Sequence, residues 1–124
     1  MNIYQEELLD RYWHPKNRGS VDNASFSATE HNPLCGDTLT ITARIEHAIL
    51  ADVKFNGNGC AISQAAADLL TESLTGKTIQ NARAFSPDAM RMLLTVPISS
   101  AREKCALLAL TAFQKGLTSS YAHN

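Results

Sequence analysis

No two cysteines in this sequence lie close together: the three stand at Cys35, Cys60 and Cys105 in a chain of 124 residues. That spacing excludes the adjacent cysteine pair on which a thiol oxidoreductase usually depends. An odd count also cannot be fully paired within one chain. Basic excess is missing too. Eleven Lys and Arg face twelve Asp and Glu, for a formal net charge of −1, and the cations are scattered. A nucleic-acid platform ordinarily carries a basic stripe, so nucleic acid is not expected as a partner. No apolar run approaches the roughly 20 residues of a membrane span. Residues 1–12 are acidic and amphipathic, without the basic start and apolar stretch of a targeting signal. The expectation is a cytoplasmic protein whose thiols stay reduced.

What is present is a chain able to build a core. Hydrophobic residues make up 44% and charged residues 19%. The length suits one domain, and a chain of this size buries roughly two-thirds of its unfolded surface. Tyr4, Leu8, Leu9, Tyr12 and Trp13 form a stripe that predicts a helix over 3–13, ended by His14-Pro15. Residues 24–29 read as a short edge strand. Leu39, Ile41, Ala43 and Ile45 alternate with Thr38, Thr40, Thr42 and Arg44, which predicts a half-buried strand. The same alternation through Ile49, Ala51, Val53 and Phe55, after Glu46-His47-Ala48, predicts its hairpin partner. Asn56-Gly57-Asn58-Gly59 reads as a break in the sheet. Helices follow at 61–74 with Gly76 as stop, at 78–84, and from Ser86-Pro87-Asp88 to Leu94. Ser100-Ala101-Arg102-Glu103 has the form of a capping box. It opens a last helix to Lys115, with Gly116 as stop and Cys105, Leu108, Ala109 and Ala112 inward. The expected class is α+β, a small antiparallel sheet with helices packed on one face. One domain is expected over 1–117, with a disordered tail over 118–124.

Each cysteine stands at a junction. Cys35 lies in the turn Asn32-Pro33-Leu34-Cys35-Gly36-Asp37, Cys60 opens a helix, and Cys105 falls near the start of the last one. Element ends can converge on one place, although three separate core thiols fit the spacing equally. A helix N-terminus favours thiolate. Cys60 has that directly; Cys105 has it weakly, with Arg102 and Lys104 as cationic neighbours. Gly36 permits a tight bend that would aim Cys35 and Asp37 at one ion. Three thiolates and a carboxylate would fill a tetrahedral site; the other reading of Asp37 is a solvated turn residue. Among the histidines, His14 reads as structural and His47 and His123 as solvated, which leaves His31 as the one near the candidate site. The glycine loop at 56–59 lacks the lysine a phosphate-binding loop requires.

The segments NPLCGD (32–37), GNGCAIS (57–63) and AREKCALLA (101–109), in this order, resemble the U-type iron–sulfur cluster assembly family: IscU, SufU and the N-terminal domain of NifU. The resemblance runs over nearly the whole chain. It implies a three-stranded antiparallel sheet with packed helices. It implies a ligand set of Cys35, Asp37, Cys60 and Cys105 that holds Zn²⁺ or iron, or carries a transient [2Fe–2S] cluster. Cys35 and Cys105 become the candidate persulfide acceptors, with Arg102 and Lys104 in support. The partners implied are a pyridoxal-phosphate cysteine desulfurase and downstream cluster or sulfur acceptors. The role implied is that of a scaffold or a zinc-dependent sulfurtransferase rather than a conventional enzyme.

The branch features are mixed. IscU has histidine before the third cysteine, where this chain has Lys104, and Arg102-x-Lys104-Cys105 resembles SufU. The compact span from Cys60 to Cys105 is IscU-like and lacks the SufU insertion. Val96-Pro97-Ile98-Ser99 occupies the place of the Leu-Pro-Pro-Val-Lys motif, which argues against docking to the dedicated chaperone. The alternative class is a structural zinc-binding interaction domain that moves no sulfur.

Overall fold

The computed structural model describes the backbone of residues 3–121 and the side chains of 5–120. Helix α1 (Ile3–Trp13) leads through an irregular segment to three strands, β1 (Phe26–Asn32), β2 (Asp37–Glu46) and β3 (Ile49–Asn58). Then come α2 (Ala61–Leu74), a short α3 (Ile79–Arg83), α4 (Pro87–Leu94), a 3-10 turn (Ser100–Arg102) and the long α5 (Glu103–Tyr121). The strands pair antiparallel in the order β1-β2-β3. The class is α+β, as expected.

One sheet face makes the core. Phe26, Leu39, Ile41, Ala43, Val53 and Phe55 are buried against α2 and α5, whose contribution includes Ala66, Leu70, Ala109, Ala112 and Phe113. The predicted alternation holds along β2 but not at the start of β3. A bulge at Arg44/Ile45 sets Ile45 opposite Leu50 and Arg44 opposite Asp52, so one residue of β3 is extra. The phase of the strand therefore flips: Leu50 is buried, whereas Ile49 is 40% exposed. His47 and Ala48, both at positive φ, form a two-residue turn.

The other sheet face is partly closed by the segment after α1. Val21 N–H donates to Thr42 Oγ1 at 2.9 Å. Gly19 N–H donates to the Phe55 carbonyl at 2.7 Å, and Phe55 N–H to the Asn17 carbonyl at 3.1 Å, which covers the free edge of β3. This strap is held by one buried carboxylate, Asp68 on α2. It accepts the backbone N–H groups of Lys16 and Asn17, both at 2.8 Å, and the Arg11 guanidinium at 3.0 Å.

Three local expectations are corrected. Asn56–Asn58 do not break the sheet: they continue β3 opposite Thr38–Thr40. Gly57 lets them do so. Its φ is +132°, and a Cβ there would lie 2.1 Å from the Thr38 carbonyl oxygen. The capping box at Ser100 is not made; Ser99 precedes the 3-10 turn without a side-chain cap, and Glu103 binds Arg91 Nε at 2.8 Å instead. Gly116 is not a stop, for α5 runs through it to Tyr121. A Cβ on Gly116 would lie 2.4 Å from Phe26 Cδ1, so its lack of a side chain is what lets the helix sit on β1. Helix therefore occupies part of the expected tail, and residues 122–124 lie outside the described residues. Within α1, Trp13 is 68% exposed and not part of a buried stripe; Tyr4's side chain is outside the described set.

Candidate metal centre

The segments that carry the three cysteines meet at one end of the sheet, where the β1–β2 turn, the start of α2 and the first turn of α5 come together around Asp37. Asn32 begins the arrangement. It is buried at the end of β1, and its Oδ1 accepts the Leu34 N–H at 3.3 Å, which folds the turn back on itself. The Cys35 N–H closes the turn on the Asn32 carbonyl at 3.2 Å. Gly36 then takes φ +70° with open space around its Cα, so backbone conformation alone calls for glycine there. The result leaves Cys35 exposed and sends Asp37 into the interior at 2% exposure. The reading of Asp37 as a solvated turn residue is thereby corrected.

Asp37 links two of the segments. Its Oδ1 accepts the Cys60 N–H at 3.1 Å, and its Oδ2 lies 3.8 Å from Cys60 Sγ. Cys60 is the N-cap of α2, and its sulfur accepts the Ser63 N–H at 3.4 Å. Buried Ser63 also donates its hydroxyl to the Cys60 carbonyl at 3.1 Å. A Cβ on Gly59 would come within 2.3 Å of that hydroxyl and 3.2 Å of the Asp37 carboxylate.

Cys105, fully buried on α5, brings its sulfur to 3.1 Å from Cys35 Sγ, and Asn32 Nδ2 donates to it at 3.7 Å. Cys35, Asp37 and Cys105 each offer a donor atom, and these lie within 4.8 Å of one another. Cys60 stands outside that triplet but faces the same carboxylate. Burial first, then the nearby Cys35 and Asp37, pushes the Cys105 thiol well above its ordinary value. The expected thiolate-favouring surroundings at Cys105 are therefore corrected. Arg102 and Lys104 are exposed, and among the described residues neither makes a hydrogen bond or ion pair with a site residue. Lys104 instead lines a cavity of about 380 Å³ beside the turn, with His31, Asn32, Pro33 and Leu34. His31 is exposed and pairs with Thr38 Oγ1 at 3.0 Å.

Asn32 and Ser63 are the site residues whose roles the residue-by-residue reading did not assign. Asn-Pro marks a turn in the sequence, but that its amide turns inward to a sulfur is a tertiary fact. Ser63 sits three positions after an N-cap, the place where capping partners recur.

Comparisons with known sequences and structures place the chain in a family. Residues 3–124 match the family model of the NifU-like N-terminal domain. The chain belongs to this family. It is 33% identical to the zinc-dependent sulfurtransferase SufU of Bacillus subtilis, over 98% of this chain and 94% of that protein. That alignment runs over 139 residues, more than this chain contains, so the relative carries residues that this chain lacks. The chain is 30% identical to an iron–sulfur cluster assembly scaffold protein IscU of Archaeoglobus fulgidus, over 98% of this chain and 79% of the relative. Among solved structures, the N-terminal NifU-like protein of Brucella abortus shares the fold with a TM-score of 0.80 at 22% identity, over 98% of this chain and 96% of that one. A candidate SUF-system scaffold from Fervidobacterium islandicum superposes with a TM-score of 0.74 at 28% identity, over 90% and 94% of the two chains. No helix among the described residues is long and apolar enough to cross a membrane.

Proposed function

We propose that this chain takes sulfur from a cysteine desulfurase and relays it, or builds a cluster with it, at Cys35, Asp37, Cys60 and Cys105. The observation that carries the reading is the convergence of Cys35, Asp37 and Cys105 donor atoms within 4.8 Å from segments far apart in sequence. Cys60 faces Asp37 Oδ2 from the start of α2. Three sulfurs and one carboxylate suit Zn²⁺, and the same donors suit iron or a [2Fe–2S] cluster as cargo. A bound cation would hold its cysteine ligands as thiolates.

Exposure separates the two candidate acceptors. Cys35 is open to a partner, whereas Cys105 is fully buried behind it. In the step we propose, the Cys35 thiolate attacks the terminal sulfur of the desulfurase persulfide. The sulfur–sulfur bond breaks, the desulfurase cysteine leaves as thiolate, and Cys35 retains the transferred sulfur as its own persulfide. Asp37, Cys60 and Cys105 would be left to hold a bound metal ion. The partners are then a pyridoxal-phosphate cysteine desulfurase and a downstream acceptor of sulfur or cluster, in the cytoplasm.

The test mixes the protein with a cysteine desulfurase and free cysteine, comparing zinc-loaded with metal-stripped chain. Faster sulfide release and a persulfide on Cys35 with the zinc-loaded protein alone establish a relay. Cluster assembly by stripped protein given iron, without that stimulation, establishes a scaffold. Neither outcome, with no sulfur on any cysteine, overturns the reading.

A further inference from the structure

The Cys60 ligand is carried by the segment Gly57–Cys60, which leaves the sheet and enters α2 with little side-chain bulk of its own. Two side chains outside the site grip it. Arg18, in the strap after α1, donates Nη2 to the Gly57 carbonyl at 2.8 Å and Nη1 to Gln64 Oε1 at 2.5 Å. Gln64, in the first turn of α2, donates Nε2 to the Gly59 carbonyl at 3.0 Å. The carbonyls of both glycines are thus held from one guanidinium, directly at Gly57 and through Gln64 at Gly59. The guanidinium is itself placed, for its carbon lies 5.9 Å from the Phe55 ring centroid. The strap around it is tied to β3 through Gly19 and Asn17 and to the buried Asp68.

We propose that Arg18 and Gln64 form a positioning clamp for Cys60, fixing where its sulfur stands relative to Asp37. This rests on the reading of Cys60 as a ligand. A ligand that follows glycine has one neighbour of wide backbone freedom, and a metal site gains affinity when its ligands are oriented beforehand. The loop's own bonds to the site are the Cys60 N–H to Asp37 and the Ser63 N–H to Cys60 Sγ. The clamp supplies the matching restraint on the opposite, carbonyl side. Neither Arg18 nor Gln64 touches a donor atom of the site, so their effect is on placement alone.

Arg18→Ala removes the direct arm to the Gly57 carbonyl and takes from Gln64 the guanidinium that anchors the second. Gln64→Glu keeps a carboxylate for Arg18 yet cannot donate to the Gly59 carbonyl, so it cuts the second arm only. The strap's backbone bonds and its Asp68 anchor survive in both, so thermal unfolding should stay close to that of the parent. Two readouts are taken on the full chain. The first is amide hydrogen exchange in metal-free protein: the Cys60 N–H should exchange severalfold faster in both variants, while Leu39 and Ile41 stay unchanged. The second is zinc affinity by chelator competition, expected to fall about tenfold, the low end for lost outer-shell contacts. Arg18→Lys, which can retain one of the two bonds, should recover part of each loss. A cobalt-substituted Arg18→Ala protein should also lose sulfur-to-metal charge-transfer absorption, a signature that general destabilisation would not move. Equal zinc affinity in parent and variants overturns the proposal. If the parent itself binds no zinc, the metal reading falls, and Cys60 exchange alone decides whether the clamp exists.

Discussion

The sulfurs of Cys35 and Cys105, seventy positions apart in the chain, stand 3.1 Å from each other. Nothing but the fold brings them there. Cys60 faces Asp37 and Ser63 instead. Metal-stripped protein treated with diamide should therefore close a Cys35–Cys105 disulfide, the two thiols giving up two electrons and two protons to the reagent. Peptide mapping by mass spectrometry should find Cys60 free. Saturating zinc beforehand should suppress the bridge. Equal labelling of all three cysteines after oxidation would contradict the arrangement.

Asp37 has two roles that one substitution cannot separate. It caps the Cys60 N–H through Oδ1 and offers Oδ2 to the site. A carboxylate is a harder ligand than thiolate and suits temporary holding of a cluster. Asp37→Asn keeps an oxygen for the Cys60 N–H while removing the charge, and Asp37→Ala removes both. Both variants should hold a reconstituted cluster severalfold longer and pass it more slowly to an acceptor apoprotein, followed by visible absorption. Unchanged lifetime and transfer would show that the carboxylate has no part in release.

Metal is not expected to hold this chain together. Leu39, Ile41, Val53, Phe55, Leu70 and Phe113 are fully buried in one apolar cluster that includes none of the candidate ligands. Chelation should leave the far-ultraviolet dichroism intact and the urea transition cooperative. A structural zinc domain would behave oppositely, because its metal supplies about 10–16 kcal/mol of folding energy. Loss of helical signal on chelation would favour that alternative.

The N-terminal helix and strap hang on Asp68. Its carboxylate is fully buried and accepts from Arg11, Lys16 and Asn17. Asp68→Ala leaves the backbone N–H groups of Lys16 and Asn17 without their partner and Arg11 with Glu72 alone, at a cost of about 3 kcal/mol, read as a lower urea midpoint. Glu72 shares Arg11, whose hydrogen bond holds the Glu72 carboxyl below its usual value. A depressed carboxyl stabilises the fold above its ordinary pKa and loses that contribution as pH falls through the folded value. Glu72→Gln should therefore lower stability slightly at neutral pH, by little because the side chain is 46% exposed, and the difference from the parent should vanish as pH falls below about 4.5.

Much of this molecule is legible in its sequence. Periodicity locates β2 and α2 because each has one clean apolar face, and α4 is legible from its Ser86-Pro87 start. The gathering of the cysteines was suggested by motif order, not by spacing, since no local rule joins Cys35 to Cys105. What escaped was tertiary. The bulge that buries Leu50 rather than Ile49 arises from pairing with β2, which the β3 segment alone does not encode. The inward turn of Asn32 and the Arg18–Gln64 bridge depend on partners 73 and 46 positions away.

Gly116 shows the same limit and yields the sharpest stability test. A glycine near a helix end reads as a C-cap, yet here it lies inside α5 with its Cα against Phe26. Gly116→Ala gains about 1 kcal/mol of helix propensity. Against that, the new methyl would meet Phe26 Cδ1 at 2.4 Å and Ala28 Cβ at 2.9 Å. Phe26 has little room to yield, because its ring packs on Phe113 at a centroid distance of 5.9 Å. Overpacking of this kind costs about 1–3 kcal/mol, so contact strain should outweigh propensity and the urea midpoint should fall. Adding Phe26→Leu frees space beside the methyl. The double variant should then lose less than the two single losses combined, a coupling expected of residues in contact. A midpoint that rises with Gly116→Ala alone would mean that propensity wins and that α5 does not sit this close to β1.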